Sequence, residues 1–87
     1  MKGGWVLEGR AAIGYDHGYD AQKFYLGLAL DPKYIDGFVE GCLERIGEDE
    51  PDQEESLRGI WEDGDDRDSV LEALKSGVEV RLGRPPE

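Results

Sequence analysis

The chain has 87 residues, which is enough for one domain with a modest core, and 38% of them are hydrophobic. The formal net charge of −11 excludes the usual electrostatic binding of nucleic acid or of an anionic membrane surface, because both depend on Lys and Arg. A charge of this sign favours basic partners, or serves only solubility.

The first thirty residues read as strands. Trp5–Leu7 and Ala11–Tyr15 predict short strands, and the segment from Asp16 to Gly18 suits a hairpin loop between strands. The segment Lys23–Leu30 alternates large apolar residues with others at a period of two, which predicts a central strand.

The next segment, DPKYIDGFVEGCLERIG, predicts a helix. Asp31 suits the N-cap, Pro32 suits the first helical position, and Gly47 is a candidate left-handed end. Gly37 and Gly41 lie on one flank of this helix, and close approach by a neighbouring backbone is one reason for glycine there. The apolar stripe at helical spacing consists of Ile35, Phe38, Val39, Cys42, Leu43 and Ile46.

Two further helices and a strand follow. Pro51 begins a helix that ends near Gly64, with Leu57, Ile60 and Trp61 as its apolar stripe. A third helix is expected from about Asp66 to Ser76, and VEVRL predicts a last strand.

These elements predict an α+β fold for a single compact domain spanning residues 1–87. We expect a small, mostly antiparallel sheet of about four strands with three helices packed on one face, in the order β-β-β-α-α-α-β. An acidic helix-turn-helix segment occupies residues 48–76 in this interpretation.

The charge is concentrated in residues 48–68. This segment contains eleven carboxylates and two arginines, and so carries −9 of the total −11, which leaves −2 for the rest of the chain. Disorder is one explanation, but Leu57, Ile60 and Trp61 are spaced to anchor a helix. Adaptation to high salt would spread the charge over the whole surface.

A calcium loop does not fit this segment. An EF-hand that began at Asp63 would have Arg67 at its fifth position and Leu74 at its twelfth, where oxygen ligands are required. Starting at Asp66 instead places Val70 fifth. The segment therefore predicts no metal ligands.

A solvated face and a binding face remain as alternatives for the acidic segment. Carboxylates three or four residues apart on a helix stand about 5–6 Å from one another, so a row of them approximates a line of phosphates. Crowding like charges costs a few tenths of a kcal/mol per helical pair, and a protein that needed only solubility could disperse them. The candidate partner-binding residues are Asp52, Glu55, Glu62, Asp63, Asp65, Asp66 and Asp68.

Few other residues suggest chemistry. His17 lies between Asp16 and Asp20 and is the best place to look for catalysis or a metal, although its spacing matches no motif. Cys42, the one cysteine, falls within an apolar stripe and reads as a buried thiol, so no internal disulfide can form. No phosphate-binding glycine pattern is present, and we predict no cofactor, catalytic residue or metal.

The leading hypothesis is a non-enzymatic binding protein or inhibitor that covers a basic, nucleic-acid-binding surface of a partner protein and does not itself bind nucleic acid. In size and charge alone the chain resembles small phage anti-CRISPR and antirestriction proteins, and it is similar in the same respects to bacterial immunity proteins that block nuclease toxins. This resemblance implies a nuclease or a CRISPR or restriction component as the partner.

Two alternatives stay open. The first is a small accessory domain of a larger assembly, which docks through its apolar sheet face and has a merely solvated acidic side. The second is a small enzyme or metal site around His17. With no apolar run near the ~20 residues of a membrane span and no signal-peptide core, we expect a cytoplasmic protein without membrane contact. The oligomeric state is left open.

Overall fold

A computed structural model describes residues 9–83 of the chain. Helix α1 runs directly into a turn of π-helix at His17–Ala21, and a short 3₁₀ turn at Leu26–Leu28 follows the first strand. The elements in chain order are α1 (Gly9–Asp16), β1 (Lys23–Tyr25), α2 (Pro32–Asp49), α3 (Pro51–Asp63), α4 (Arg67–Lys75) and β2 (Glu79–Arg81).

Helices α1 and α2 lie side by side at very short range. A methyl group added to Gly14 would overlap backbone atoms of Tyr34 and Phe38, and one added to Gly37 would overlap the backbone of Ala11. Gly14 meets Tyr34 and Phe38, and Gly18, one turn later, meets Phe38 and Cys42 further along α2. The two helices therefore run parallel. Glycine is required here since any side chain would hold the two backbones apart.

Helix α2 is the centre of the fold. Asp31 caps it by accepting a hydrogen bond from the backbone N–H of Lys33 at 2.9 Å, and Pro32 occupies the first turn. The helix continues through Gly47 as far as Asp49, so the left-handed end predicted at Gly47 is wrong. Gly47 instead faces the side chain of Glu54 on α3, which would have to shift to admit a Cβ.

The core forms where α2 faces β1 and α4. The rings of Phe24 and Phe38 meet edge to face, with centroids 4.6 Å apart, and Tyr34 is completely buried beside them. Val70 and Leu74 of α4 close the other side of this core. Most of the apolar stripe predicted for α2 therefore does face the interior.

The two strands pair in parallel, with Phe24 opposite Val80. A parallel pair needs a long crossover, and here helices α2, α3 and α4 provide it. All three residues of β2 are exposed, so β2 is the surface edge of this sheet, whereas Phe24 and Tyr25 of β1 are buried.

The predicted fold class, a mostly antiparallel sheet of about four strands in the order β-β-β-α-α-α-β, is wrong. The structure of residues 9–83 is mostly helical, with four α-helices and one small sheet of two parallel strands. Ala11–Tyr15 is helical rather than extended, and the expected loop at Asp16–Gly18 continues the same helix. The strand predicted at Trp5–Leu7 lies outside the described residues.

The glycines are the physical reason why residues 11–18 form a helix and not the predicted strand and loop. Gly14 falls within a predicted strand and Gly18 within a predicted loop, and each costs up to about 1 kcal/mol in a helix interior. In the structure they lie against the backbone of α2 at Tyr34, Phe38 and Cys42, and this contact exists only once α2 is in place. The segment Lys23–Leu30 is a strand only as far as Tyr25, and Leu30 is 94% exposed.

Within residues 9–83, no helix combines the length and the apolar character needed to cross a membrane.

Candidate protein-binding surface

The acidic segment is helical in the structure. Pro51 begins α3, and Asp52 and Glu54 in its first turn favour the positive end of the helix dipole. Gly64 ends α3 with a φ of 81°, a conformation that favours glycine. Glu48 and Asp49 end α2, and the carboxylates from Asp52 to Asp68 lie on α3, in the turn at Gly64 and at the start of α4. The helices predicted on either side of Gly64 are therefore present.

Arg58 holds α3 against α2. Its guanidinium donates to Glu40 Oε1 at 2.9 Å and to Glu54 Oε2 at 2.6 Å, and the side chain is only 29% exposed. The hydrogen bonds to Glu40, followed by those to Glu54, raise the pKa of Arg58. The spacing of Glu54 and Arg58, four residues apart on one helix, predicts only the contact within α3. The contact with Glu40 on α2 has no signal in the sequence.

Arg67 closes the turn between α3 and α4. Its Nε donates to the backbone carbonyl of Trp61 at 2.7 Å, and its guanidinium carbon lies 4.8 Å from the centre of the Trp61 ring. Within the described residues, Arg58 and Arg67 therefore form no ion pair with the exposed carboxylates of residues 48–68.

The orientation of α3 follows from these contacts. At 100° per residue, Leu57 and Trp61 share the inner side of the helix with Glu54 and Arg58, and both apolar side chains are half-buried. Ile60 falls about 100° away from Trp61 on the flank and is 41% exposed. The predicted burial of Ile60 is therefore wrong, because Glu54 and Arg58 occupy part of the inner side.

All of the predicted partner-binding residues are exposed, and we call them together the acidic surface. Within residues 9–83, no side-chain hydrogen bond or ion pair joins any of them to a cation. They are Asp52, Glu55, Glu62 and Asp63 on α3, Asp65 and Asp66 in the turn, and Asp68 in the first turn of α4.

The α3 members of the acidic surface share one side of the helix. Asp52, Glu55, Glu62 and Asp63 fall within about 100° of one another around the helix axis. Asp52 and Glu62 are about 15 Å apart along the axis, at 1.5 Å per residue. Gly59 lies between Glu55 and Glu62, and a Cβ there would have no neighbour within 4 Å.

The turn contributes a shallow depression rather than a metal site. A concavity of about 150 Å³ is lined by Asp65, Asp66, Arg67 and Asp68 together with Gly64. Across the described part of the chain, no three His, Cys, Asp or Glu side chains converge as metal ligands. The turn thus presents carboxylates to solvent without gathering them around one point.

His17 is tied to the core and not to the neighbouring aspartates. Its Nδ1 lies 2.8 Å from the hydroxyl of buried Tyr34, which also accepts a hydrogen bond from the backbone N–H of Tyr25 at 3.0 Å. Burial lowers the pKa of His17, against the opposing effect of the Asp16 carboxylate. Asp16 and Asp20 are exposed, and neither forms a hydrogen bond with the imidazole within the described residues.

The tyrosines on either side of His17 lie on the same face of the first helix. Tyr15 and Tyr19 stack on one another along a single helix, with ring centroids 5.8 Å apart. The hydroxyl of Tyr15 donates to Glu44 at 2.8 Å, and burial is the largest cause that raises the pKa of Tyr15 to about 12. Tyr15 thus fastens the first helix to α2.

Cys42 is a buried thiol, as predicted. It is 4% exposed, and burial raises its pKa to about 12, so it is not a nucleophile at neutral pH. It borders a cleft of about 170 Å³ between α2 and α4, whose other walls include Arg45, Leu74 and Val78. This volume is below the range usual for small-molecule sites.

Comparison with known proteins identifies no related family, curated protein or solved structure.

Proposed function

We propose that this protein is a non-enzymatic binding protein whose acidic surface covers a basic surface on a partner protein. The observation that carries the proposal is that these carboxylates are all exposed and unpaired within the described residues. Arg58 and Arg67 contact Glu40 and the backbone of Trp61 rather than the acidic surface. The positive charge that would complement this surface must therefore come from a partner.

The partner that this surface fits best is one that normally holds nucleic acid. A row of carboxylates about 15 Å long on a rigid helix resembles a stretch of phosphate backbone in charge and extent. A nuclease, or a CRISPR or restriction component, has the required lysines and arginines. The protein would then inhibit by occupying the groove in place of DNA or RNA.

The accessory-domain alternative loses its proposed docking surface. It needed an exposed apolar face around residues 24–30, but Phe24 and Leu28 are 1% and 3% exposed and belong to the core. For the enzyme alternative, the structure joins His17 to Tyr34 and to neither Asp16 nor Asp20. The binding proposal is therefore the one that the geometry supports best.

The first experiment captures partners from the native host, and from an organism that competes with it, at about 50 and about 500 mM salt. The Debye length falls from above 10 Å to about 4 Å over this range, so a partner held by the acidic surface should be lost at high salt. The captured partner is then purified, and its affinity for the protein is measured.

Two double variants test the surface directly. Glu55→Lys with Glu62→Lys reverses the helix row, and Asp65→Lys with Asp66→Lys reverses the turn. We expect either to weaken binding at least about tenfold without unfolding the protein. A matched control, Asp20→Lys with Asp36→Lys, makes the same change in net charge at exposed positions outside the acidic surface.

The outcomes separate a specific surface from a general charge effect. Weakening by the control as great as that by the two surface variants would mean that net charge alone drives binding. Unchanged affinity in both surface variants, with no salt dependence, would mean that the acidic surface is only solvated. We also expect no binding of the protein itself to a short DNA duplex at about 150 mM salt.

A further inference from the structure

Within residues 9–83, strand β2 has one paired side and one open side. The backbone N–H of Glu79 donates to the carbonyl of Gln22 at 2.9 Å, on the side where β1 lies. Because successive residues of a strand point their backbone groups to opposite sides, the N–H and C=O of Val80 face away from β1. No other backbone in residues 9–83 pairs with that outer side.

The three side chains of β2 are exposed, and the first and the last of them carry opposite charges. Glu79 and Arg81, two residues apart, share one face and form an ion pair at 2.6 Å. Val80 lies on the other face and is 46% exposed, and Leu82 just beyond the strand is 85% exposed. The open side is therefore flanked by one acid, one base and two uncovered apolar residues.

We propose that the open side of β2 pairs with β2 of a second copy of this chain, in antiparallel orientation about a two-fold axis through Val80. The two sheets would then form one sheet with strand order β1-β2-β2-β1. A two-fold axis requires the surface to be complementary to itself, and the sequence Glu79-Val80-Arg81 meets that condition.

The register follows from the backbone groups that are available. The two Val80 residues exchange a pair of hydrogen bonds, and each Leu82 N–H donates to the Val78 carbonyl of the second copy. The Val78 N–H takes no part, because it already donates to the carbonyl of Lys75 at 3.2 Å. Four hydrogen bonds thus join the copies without displacing any bond within either one.

Charge complementarity specifies this register. Glu79 lies directly opposite Arg81 of the second copy, at a non-hydrogen-bonded position where facing side chains come closest. Each copy supplies one acid and one base, so the dimer contains two such cross-strand pairs. A shift by one residue along either strand would lose both of them.

The surroundings of β2 permit two acidic molecules to approach here. Residues 69–83 carry two acids and two bases, Glu72, Lys75, Glu79 and Arg81, and are neutral in sum. The excess negative charge lies instead in residues 48–68, which span the end of α2, all of α3 and the start of α4. Pairing through β2 leaves the acidic surface free, so this inference is independent of the proposed function.

Sedimentation equilibrium of the full chain from about 10 µM to about 1 mM tests the proposal. The mass should rise from 9.7 kDa toward twice that value as concentration increases. Glu79→Arg and Arg81→Glu each place two pairs of like charges across the strands, and each should weaken self-association about tenfold or more. Asp36→Arg, an equal charge change at an exposed position on α2, should leave it unchanged.

Mixing the two weakened variants is the decisive measurement. Glu79→Arg and Arg81→Glu are complementary to each other, so an equimolar mixture should associate more strongly than either variant does alone. The double variant with both substitutions should dimerise as the unaltered chain does. Far-UV circular dichroism of each variant confirms that it is folded.

Three results would overturn the proposal. A monomer throughout the concentration range would show that the short, charged strand protects its edge rather than pairs. Full dimerisation of both single variants would place the interface elsewhere. Failure of the mixture to associate would refute the antiparallel register centred on Val80.

Discussion

Replacing Gly37 with alanine, and separately Gly59 with alanine, tests the helix pair on which this fold depends. Both glycines lie inside helices, and by propensity alone each substitution should stabilise its helix by up to about 1 kcal/mol. The structure predicts opposite outcomes, because Gly37 faces the backbone of Ala11 whereas Gly59 has open space around it.

The magnitude follows from the contact at Gly37. An added Cβ would lie 2.7 Å from the carbonyl carbon of Ala11 and 2.9 Å from its Cα, which is closer than carbon atoms approach. The obstacle is backbone, so no side chain can rotate away, and α1 must move off α2. Overpacking costs up to about 3 kcal/mol and here falls at that upper end, which leaves a net loss of about 2 kcal/mol after the gain in propensity.

Urea unfolding followed by far-UV circular dichroism measures both variants, and thermal melts provide a second reading. For a domain of this size, 1 kcal/mol corresponds to about 4–8 °C in Tm. Gly37→Ala should therefore lower Tm by about 8–16 °C, and Gly59→Ala should raise it by about 4–8 °C. If Gly37→Ala were as stabilising as Gly59→Ala, the close packing of α1 on α2 would be refuted.

Three further predictions concern the core, the contact of Arg58 with Glu40, and His17. Phe38→Ala should lower the free energy of unfolding by about 3–5 kcal/mol and Ile60→Ala by only about 1 kcal/mol, because Phe38 is fully buried and Ile60 is 41% exposed. Equal losses in urea unfolding would contradict this orientation of α3. Arg58→Met should cost about 1–3 kcal/mol, and a double-mutant cycle with Glu40→Gln should show coupling between the two side chains, whereas additive losses would deny the contact. The pKa of His17 is lowered in the folded state, so the stability that this group contributes is present above pH 6.5 and is lost as the pH falls below that value. His17→Gln should therefore reduce the loss of stability between about pH 7.5 and about pH 5.5. An unchanged loss would exclude His17 as its source.

The helices from Pro32 onward could be predicted because their signals are local. Asp31 and Pro32 mark the start of α2, and Pro51 and Gly64 mark the two ends of α3, each through an effect that acts within one turn of backbone. Exposure of the acidic residues followed equally from the sequence, because unpaired carboxylates are rarely buried.

The contacts that orient α3 could not be predicted in full. The interaction of Arg58 with Glu40 joins residues on different helices, and it depends on how α3 folds back along α2. That same contact decides that Ile60 lies on the flank, although its spacing from Leu57 and Trp61 suggested the inner side. The candidate surface was thus predicted by composition, whereas the direction in which it faces was not.

The sequence by itself determined the concentration of negative charge in residues 48–68, the buried thiol of Cys42 and the three helices from α2 to α4. Tertiary structure decided the rest of the fold. Whether residues 9–21 form a strand pair or a helix depends on Gly14 and Gly18, whose local preferences oppose a helix. Packing against the backbone of α2 at Tyr34, Phe38 and Cys42 reverses that preference, because a glycine without a Cβ lets the two helix backbones meet. Residues so distant in the chain exert this effect only after folding.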